Sequence, residues 1–326
     1  MSRSAAALWV VTYHYVRDLP RTRFPQIKGR LVSELDQQVA WLSERCEMAT
    51  LQSTLAFLAG EYEPSRDLCL LTFDDGLKDH YTNVLPILTR RQIQGVFFIS
   101  TVCLEQHRVL PVHKNHFLMA ELEFSQYRSA FLEHLATLSD EAPSGADIEK
   151  AKRAYPWDSP DVAAFKFFLN YRISEHLRVR VLDALFEKFL GDESTFAREL
   201  YLDWEEVRQM QAQGMVIGGH SNNHVALSSL SPEEQEVDLA TCARVLHQRV
   251  APQPAWPFCY PYGHSYSFNA TTVQHLRALG FLCSFTTEPG AVRAGDDPFT
   301  LRRVDTNDVL KKIQPRPAAV PAVSER

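Results

Sequence analysis

Leu68-Cys69-Leu70-Leu71-Thr72-Phe73-Asp74-Asp75-Gly76 is an apolar run that closes on two adjacent carboxylates and a glycine. Near-continuous apolarity over Leu68–Phe73 suits a strand buried on both faces, the situation of a parallel sheet. In a barrel of parallel strands the carboxyl ends of the strands form the reactive face. Two acids placed there repel each other unless a positive group stands nearby. A metal ion is the simplest such partner, with one carboxylate as its ligand and the other free to move protons. Asp and Gly are also turn residues, so the run taken alone fits an acidic turn equally well.

The rest of the chain supplies the context for a barrel. Short β-branched and aromatic runs recur at Leu8–Val16, Gly95–Ser100, Met215–Gly219, Trp256–Tyr260, Phe281–Thr286 and Leu301–Val304. Between them lie helical patterns. Ser33–Glu44 places Leu35, Val39 and Leu42 at helical spacing, and Asn83–Gln92 carries Val84, Leu85, Ile87 and Leu88. Ser231–Val250 opens with a capping-box serine, a proline at the first helical position and Glu234. Thr271–Leu279 stops at Gly280. Alternating strands and helices predict an α/β fold with a parallel sheet or barrel.

The stretch from about 103 to 200 breaks this rhythm. Its helical pieces, clearest at Phe117–Tyr127 and Val179–Leu190, predict an insertion, with Ser139–Ser159 as loop or short helices. Phe165, Phe167, Phe168 and Tyr171 fit a helix core better than a pocket wall. Val112-His113-Lys114-Asn115-His116 reads as solvated or substrate-facing, with Lys114 able to meet a phosphate, rather than as a second metal site. The expected organisation is one domain over 1–310 carrying this insertion, followed by a disordered tail at 311–326 rich in Pro and Ala.

Three further junctions carry chemical potential. Val216–His224, VIGGHSNNH, ends an apolar run and spaces His220 and His224 four apart. On a helical turn that spacing puts both imidazoles on one face, where they can share a metal. Phe258–Gly263, FCYPYG, is a strand-to-loop junction whose backbone N–H groups can stabilise a developing oxyanion. Otherwise it is an ordinary Pro-Tyr-Gly turn. His14, within Thr12-Tyr13-His14-Tyr15, is either a core histidine or a general acid at the barrel mouth.

In combination these motifs resemble the NodB-homology polysaccharide deacetylases, carbohydrate esterase family 4. The matching residues are Thr72-Phe73-Asp74-Asp75-Gly76, His220-Ser221-Asn222-Asn223-His224 and Pro261-Tyr262-Gly263, and the likeness covers roughly 8–100 and 200–307. The resemblance implies a deformed (β/α) barrel. It implies a metal triad of Asp75, His220 and His224 holding a divalent ion, zinc foremost, with Co, Ni, Mn or Fe as alternatives. Asp74 takes the place of the general base, and the backbone N–H of Tyr262 that of an oxyanion donor.

Two departures qualify the match. Many members carry Arg where this chain has Cys259, and a Leu-x-His motif near the C-terminus that supplies the acid. No histidine follows His275 here; the last strand reads Leu301-Arg302-Arg303-Val304-Asp305. The chain looks more like the branch containing the poly-N-acetylglucosamine deacetylases, in which a His within a Tyr-His pair on the first strand is the acid. His14 fits that position, and Arg303 is the candidate for the positive charge beside Asp74.

Composition narrows the remaining classes. The 326 residues are 45% hydrophobic and 23% charged, with a net charge of -6 and no basic face of the kind nucleic acid requires. The six cysteines form no CxxC pair, which leaves no zinc ribbon or disulfide framework to be read. No run reaches the roughly 20 apolar residues of a membrane span. The apolar run before Thr12 is about seven residues, short for a signal-peptide core. A cytoplasmic protein acting on an N-acetylated sugar, nucleotide sugar or lipid-linked intermediate is the expectation. The alternatives are an amidohydrolase of the same fold acting on a non-sugar amide or formyl group, and a non-catalytic carbohydrate-binding relative.

Overall fold

A computed structural model describes residues 6–139, 148–155 and 158–315. The described residues within 1–18, 28–106 and 198–326 form one compact unit, and those within 19–27 and 107–197 form the other.

The first unit is built on one sheet. Its strands are β1 (Leu8–Tyr13), β2 (Glu47–Met48), β3 (Leu68–Phe73), β4 (Gly95–Ile99), β5 (Val216–Gly219), β6 (Trp256–Cys259), β7 (Phe281–Phe285) and β8 (Val304–Asp305). The order is β7-β6-β5-β4-β3-β1-β8, and every pairing is parallel. β2 sits against the first half of β3, a short strand the sequence reading did not resolve. Leu301 bridges Phe285 of β7, and Val304 three residues later pairs with Val11 of β1. The last segment therefore runs from one edge of the sheet to the other. The expected strand Leu301–Val304 is divided by this crossing: only Val304–Asp305 is a strand, and Arg303 lies in the gap.

β3 and β4 are buried at every position, which explains their unbroken apolar sequence. Gly218 on β5 is required by a close approach: a Cβ there would lie 2.6 Å from the Pro257 carbonyl oxygen and 2.6 Å from the Phe98 ring. The expected helices form over Val32–Arg45, Pro232–Arg249 and Ala270–Ala278. Ser231 caps its helix by accepting from Glu234 N–H, while Glu234 accepts from Ser231 N–H. Asn83–Gln92 resolves into a π-helical turn, His80–Val84, followed by an α-helix, Leu85–Arg90. Pro86 lacks the N–H a regular turn would use, and the ladder shifts to Leu85 N–H donating to His80. β1 ends at Tyr13, one residue before His14.

The second unit is helical: Pro111–Glu121, Phe124–Ala136, Ile148–Ala154, Pro160–Tyr171 and Glu175–Leu190. The expected helix Phe117–Tyr127 breaks at Leu122, whose extended backbone ends one helix before the next begins. Phe165 packs edge-on against Phe124, Tyr127 and Phe131, the core role read from spacing. Lys114 overturns the solvated reading. It is 1% exposed, ion-paired to Glu193 at 2.8 Å and to Asp183, and Arg108 meets the same two acids. A buried lysine with two carboxylates is a neutralised structural cluster.

All six cysteines are buried free thiols. Among the described residues no helix is long and apolar enough to cross a membrane. After Asn307 the chain forms a short helix, Val309–Lys312, with Val309 and Ile313 buried. The tail expected at 311–326 falls largely on 316–326, outside the described residues, as do 140–147 within the expected loop.

Candidate active site

Asp74 and Asp75 leave the carboxyl end of β3, 1% and 3% exposed. Asp74 N–H still continues the ladder by donating to Tyr13 C=O at 2.9 Å. Asp75 then turns into the left-handed region at φ 78°. Asp75, Ser221, His224 and Tyr262 account for four of the six described non-glycine residues with positive φ, and all four belong to the three motifs. Such backbone costs about 1–3 kcal/mol per residue and persists where the surroundings enforce it.

β5 delivers His220, whose N–H donates to Ile99 C=O at 3.0 Å. The helical-turn reading of His220–His224 is corrected here: the segment is an irregular loop, and Ser221 (φ 60°) and His224 (φ 53°) bend it back on itself. His224 N–H donates to Ser221 Oγ at 2.8 Å. Asp238, on the helix Pro232–Arg249, accepts from the N–H groups of Asn222 and Asn223 at 2.9 and 3.0 Å and from Asn223 Nδ2 at 2.9 Å. Two left-handed residues and one buried carboxylate thus do what a helical turn was expected to do. The rings end 4.8 Å apart, centroid to centroid.

The Nε2 atoms of His220 and His224 lie 3.4 and 3.3 Å from Asp75 Oδ1. Tetrahedral ligands on bonds of ~2.1 Å stand ~3.4 Å apart, so the spacing of this donor set matches a zinc-sized ion. His220 Nδ1 is 2.7 Å from Cys259 C=O, which places a proton on that nitrogen and turns Nε2 toward Asp75. Burial works against a charged His220, yet Cys259, Asp75 and Asp74 together push its pKa well above the usual imidazole range. The surroundings favour positive charge at this point. Asp74, His220 and Cys259 form a second potential ligand group. Its donors are committed elsewhere: both Asp74 oxygens to Arg303, and His220 Nδ1 to Cys259 C=O.

Arg303 is 1% exposed and fully engaged. Nη1 and Nη2 donate to Asp74 Oδ1 and Oδ2 at 2.8 and 2.7 Å, Nη1 reaches Thr72 Oγ1 at 3.2 Å, and Nε donates to Thr286 C=O at 2.7 Å. Burial by itself raises the Asp74 pKa, but the charge and hydrogen bonds of Arg303 outweigh it and hold the carboxyl at about 2. Thr12 Oγ1 adds a contact at 3.3 Å, and Cys259 Sγ lies 3.6 Å from the same oxygen.

His14 completes the cluster from just beyond β1. Its side chain is 44% exposed, and its Nε2 stands 3.8 Å from Asp74 Oδ2 and 4.0 Å from Asp75 Oδ2. Tyr262 follows β6 with φ 62°, its ring 5.2 Å from that of His224. Thr287 secures the turn: its Oγ1 donates to Tyr262 C=O at 2.9 Å and its N–H to Gly263 C=O at 2.8 Å. A Cβ on Gly263 would meet Thr287 N at 2.6 Å. Asp74, Asp75, His220, His224, Arg303 and His14 thus converge, with the Tyr262 turn beside His224. Asp238, Thr12 and Thr286 were missed by sequence reading. Asp238 lies mid-helix with no motif around it, and only its buried carboxylate among backbone N–H groups marks it.

A parallel sheet with an Asp-His-His cluster at the carboxyl ends of its strands defines a deformed (β/α) barrel of the NodB type. A family model described as polysaccharide deacetylase matches residues 61–153 and 158–283, and the chain belongs to that family. The Streptococcus pyogenes deacetylase PplD, solved with acetate, superposes with a TM-score of 0.60 at 15% identity over 95% of this chain and 100% of that one. IcaB from Ammonifex degensii gives 0.56 at 21% identity over 94% of each chain. The BpsB deacetylase domain from Bordetella bronchiseptica gives 0.54 at 17% identity, covering 92% of this chain and 95% of that domain. At such identities the likeness is one of fold. The YxkH protein of Bacillus subtilis is 28% identical over 104 residues, an alignment spanning 32% of this chain and 36% of that relative.

Proposed function

We propose that this chain is a divalent-metal-dependent N-deacetylase that hydrolyses the acetamide of an amino sugar to acetate and a free amine. The observation that carries the reading is the spacing of Asp75, His220 and His224 beside an Asp74 held by Arg303. Asp75 Oδ1 and the two Nε2 atoms would hold the ion, zinc foremost, since two imidazoles and a carboxylate suit it. Bound there, a divalent ion supplies Lewis-acid polarisation of a carbonyl and lowers the pKa of a water towards about 7.

The chain's own residues divide the proton work. Asp74, ionised throughout the neutral range, accepts a proton from the attacking water. Arg303 fixes both of its oxygens, so it meets the substrate in one orientation. The backbone N–H of Tyr262, in a turn locked by Thr287, is assigned to the oxyanion that develops on the carbonyl. His14, half-exposed and within 4.0 Å of both carboxylates, is the donor to the departing amine. Its exposure lets it regain a proton from solvent between turnovers.

Acetate release from a panel of N-acetylated nucleotide sugars, glycosides and chito-oligomers tests the reading, with and without a chelator. Chelator-sensitive release from an acetamido sugar is expected. Release from non-sugar amides alone, or none from metal-loaded protein, would overturn it.

A further inference from the structure

His80 has a place in this site that neither the motifs nor the family assignment gives it. It opens the π-helical turn His80–Val84 that follows the two aspartates, and it is fully buried. Its ring stands 5.6 Å, centroid to centroid, from both Phe73 and Phe97. Its Nε2 is 3.1 Å from the backbone C=O of His14. A carbonyl can only accept, so the Nε2 carries the proton. Burial lowers the His80 pKa to about 4, and the ring keeps this single neutral form at pH 7.

The same turn grips the neighbouring peptide groups. Asp79 Oδ2 accepts from Val16 N–H at 3.0 Å and from Arg17 Nε at 2.8 Å. Asn83 Nδ2 donates to Val16 C=O at 2.8 Å. On the other side, Arg30 N–H donates to Tyr15 C=O at 2.9 Å, and Gly29 allows this approach, since a Cβ there would lie 2.8 Å from Tyr15 Cβ. His14 follows the last residue of β1, so its peptide lies beyond the sheet ladder that fixes the strand. Its ring is half-exposed and stands 3.8 Å or more from either carboxylate, beyond hydrogen-bond reach. The backbone bonds above fix where the His14 side chain starts, and so which rotamers can bring its ring to the carboxylates.

We infer that His80 is a positioning residue for His14: through its Nε2–H bond to the His14 carbonyl, with Asp79 and Asn83 holding Val16, it aims the His14 ring at the reacting amine. One turn of chain then supplies the base and a metal ligand at its start and, a few residues on, the brace for the acid. This rests on the reading of His14 as the proton donor. It also gives the π turn a use, as such turns often mark functional positions.

The test is a double-mutant cycle with a spectroscopic control. His80→Leu keeps a side chain packed against Phe73 and Phe97 but removes the donor, and His80→Gln restores a donor of similar reach. Asn83→Ala removes the outer clamp bond from a half-buried site and serves if His80→Leu does not fold. On the acetamido sugar that the wild-type chain deacetylates, His80→Leu is expected to lower kcat about 10–100-fold, the scale of a misplaced catalytic group. KM and metal content stay unchanged, and His80→Gln recovers most of the loss. In a His14→Ala background, His80→Leu and Asn83→Ala are expected to cost nothing further, because the group they position is gone. Equal losses in both backgrounds would overturn the proposal. Nitrogen-15 histidine spectra supply a readout without turnover: His80 is expected as an Nε2–H tautomer, with His14 the histidine shifted most by Asn83→Ala. Unmoved His14 signals would sink the brace even in an active enzyme. Absent deacetylase activity with His14 shifted would instead sink the proposed function and leave the brace standing.

Discussion

Arg303 and Asp74 face each other through two parallel hydrogen bonds of 2.8 and 2.7 Å, both side chains almost wholly buried. Removing one partner from such a pair strands the other charge in a low-dielectric interior. Arg303→Met is expected to cost about 3–5 kcal/mol of stability, read as a shift in the urea midpoint. Arg303→Lys is expected to fold but to lose the fork that fixes both Asp74 oxygens, and kcat with it.

The same pair sets an acid dependence of stability. The Asp74 pKa is depressed in the folded chain, to about 2 from a usual 3.8. Its contribution is therefore complete above pH 3.8 and disappears as pH falls through 2. Linkage puts it at about 2 kcal/mol. Urea midpoints of metal-free protein between pH 2 and 5 are expected to rise more steeply for wild type than for Asp74→Asn.

Asp74→Asn is expected to retain the ion and lose turnover by about 10²–10⁴-fold, the usual worth of a general base. Metal analysis of purified protein alongside acetate release separates the two effects. Full activity in Asp74→Asn would remove Asp74 from the mechanism.

His220→Ala, His224→Ala and Asp75→Ala are each expected to abolish both metal content and activity. A chelator is expected to inactivate the wild-type chain and a divalent ion to restore it. Metal bound at wild-type stoichiometry in any of the three variants would exclude that residue as a ligand.

Asp238 touches no reacting group, yet it organises the loop between the two histidines through Asn222 and Asn223. Asp238→Ala is expected to weaken metal affinity about 10–100-fold, as loss of a supporting partner does. Calorimetric titration with the metal measures this. The far-ultraviolet spectrum is expected to stay unchanged, since the helix is capped at Ser231.

Strand cores, helix caps and motif positions were legible in the chain itself because each is encoded locally. Leu68–Phe73 is apolar throughout because both faces of its strand are covered, and Ser231-Pro232-Glu233-Glu234 begins a helix by satisfying its own first N–H groups. Asp74, Asp75, His220 and His224 could be named because they lie at or shortly after the end of such runs and because their order along the chain resembles a known family's motifs. Spacing misled where the backbone left regular geometry. HxxxH suggested a helical turn, but Ser221 and His224 adopt left-handed dihedrals that a sequence does not display. Lys114 looked solvated because charge usually is, and its two acidic partners lie 69 and 79 positions along the chain.

What the sequence determined by itself was a parallel α/β sheet with an acid pair and a histidine pair at strand ends. The tertiary structure decided the partners. Arg303 is 229 residues from the aspartate it holds, and they meet because the last segment crosses from β7 to β1. His14 and His80 are 66 apart and meet because β1 and β3 pair in register. Local sequence sets periodicity and caps through neighbours a few residues away. The identity of a buried charge's partner depends on which strand ends the sheet brings together, and that follows from the packing of the whole first unit.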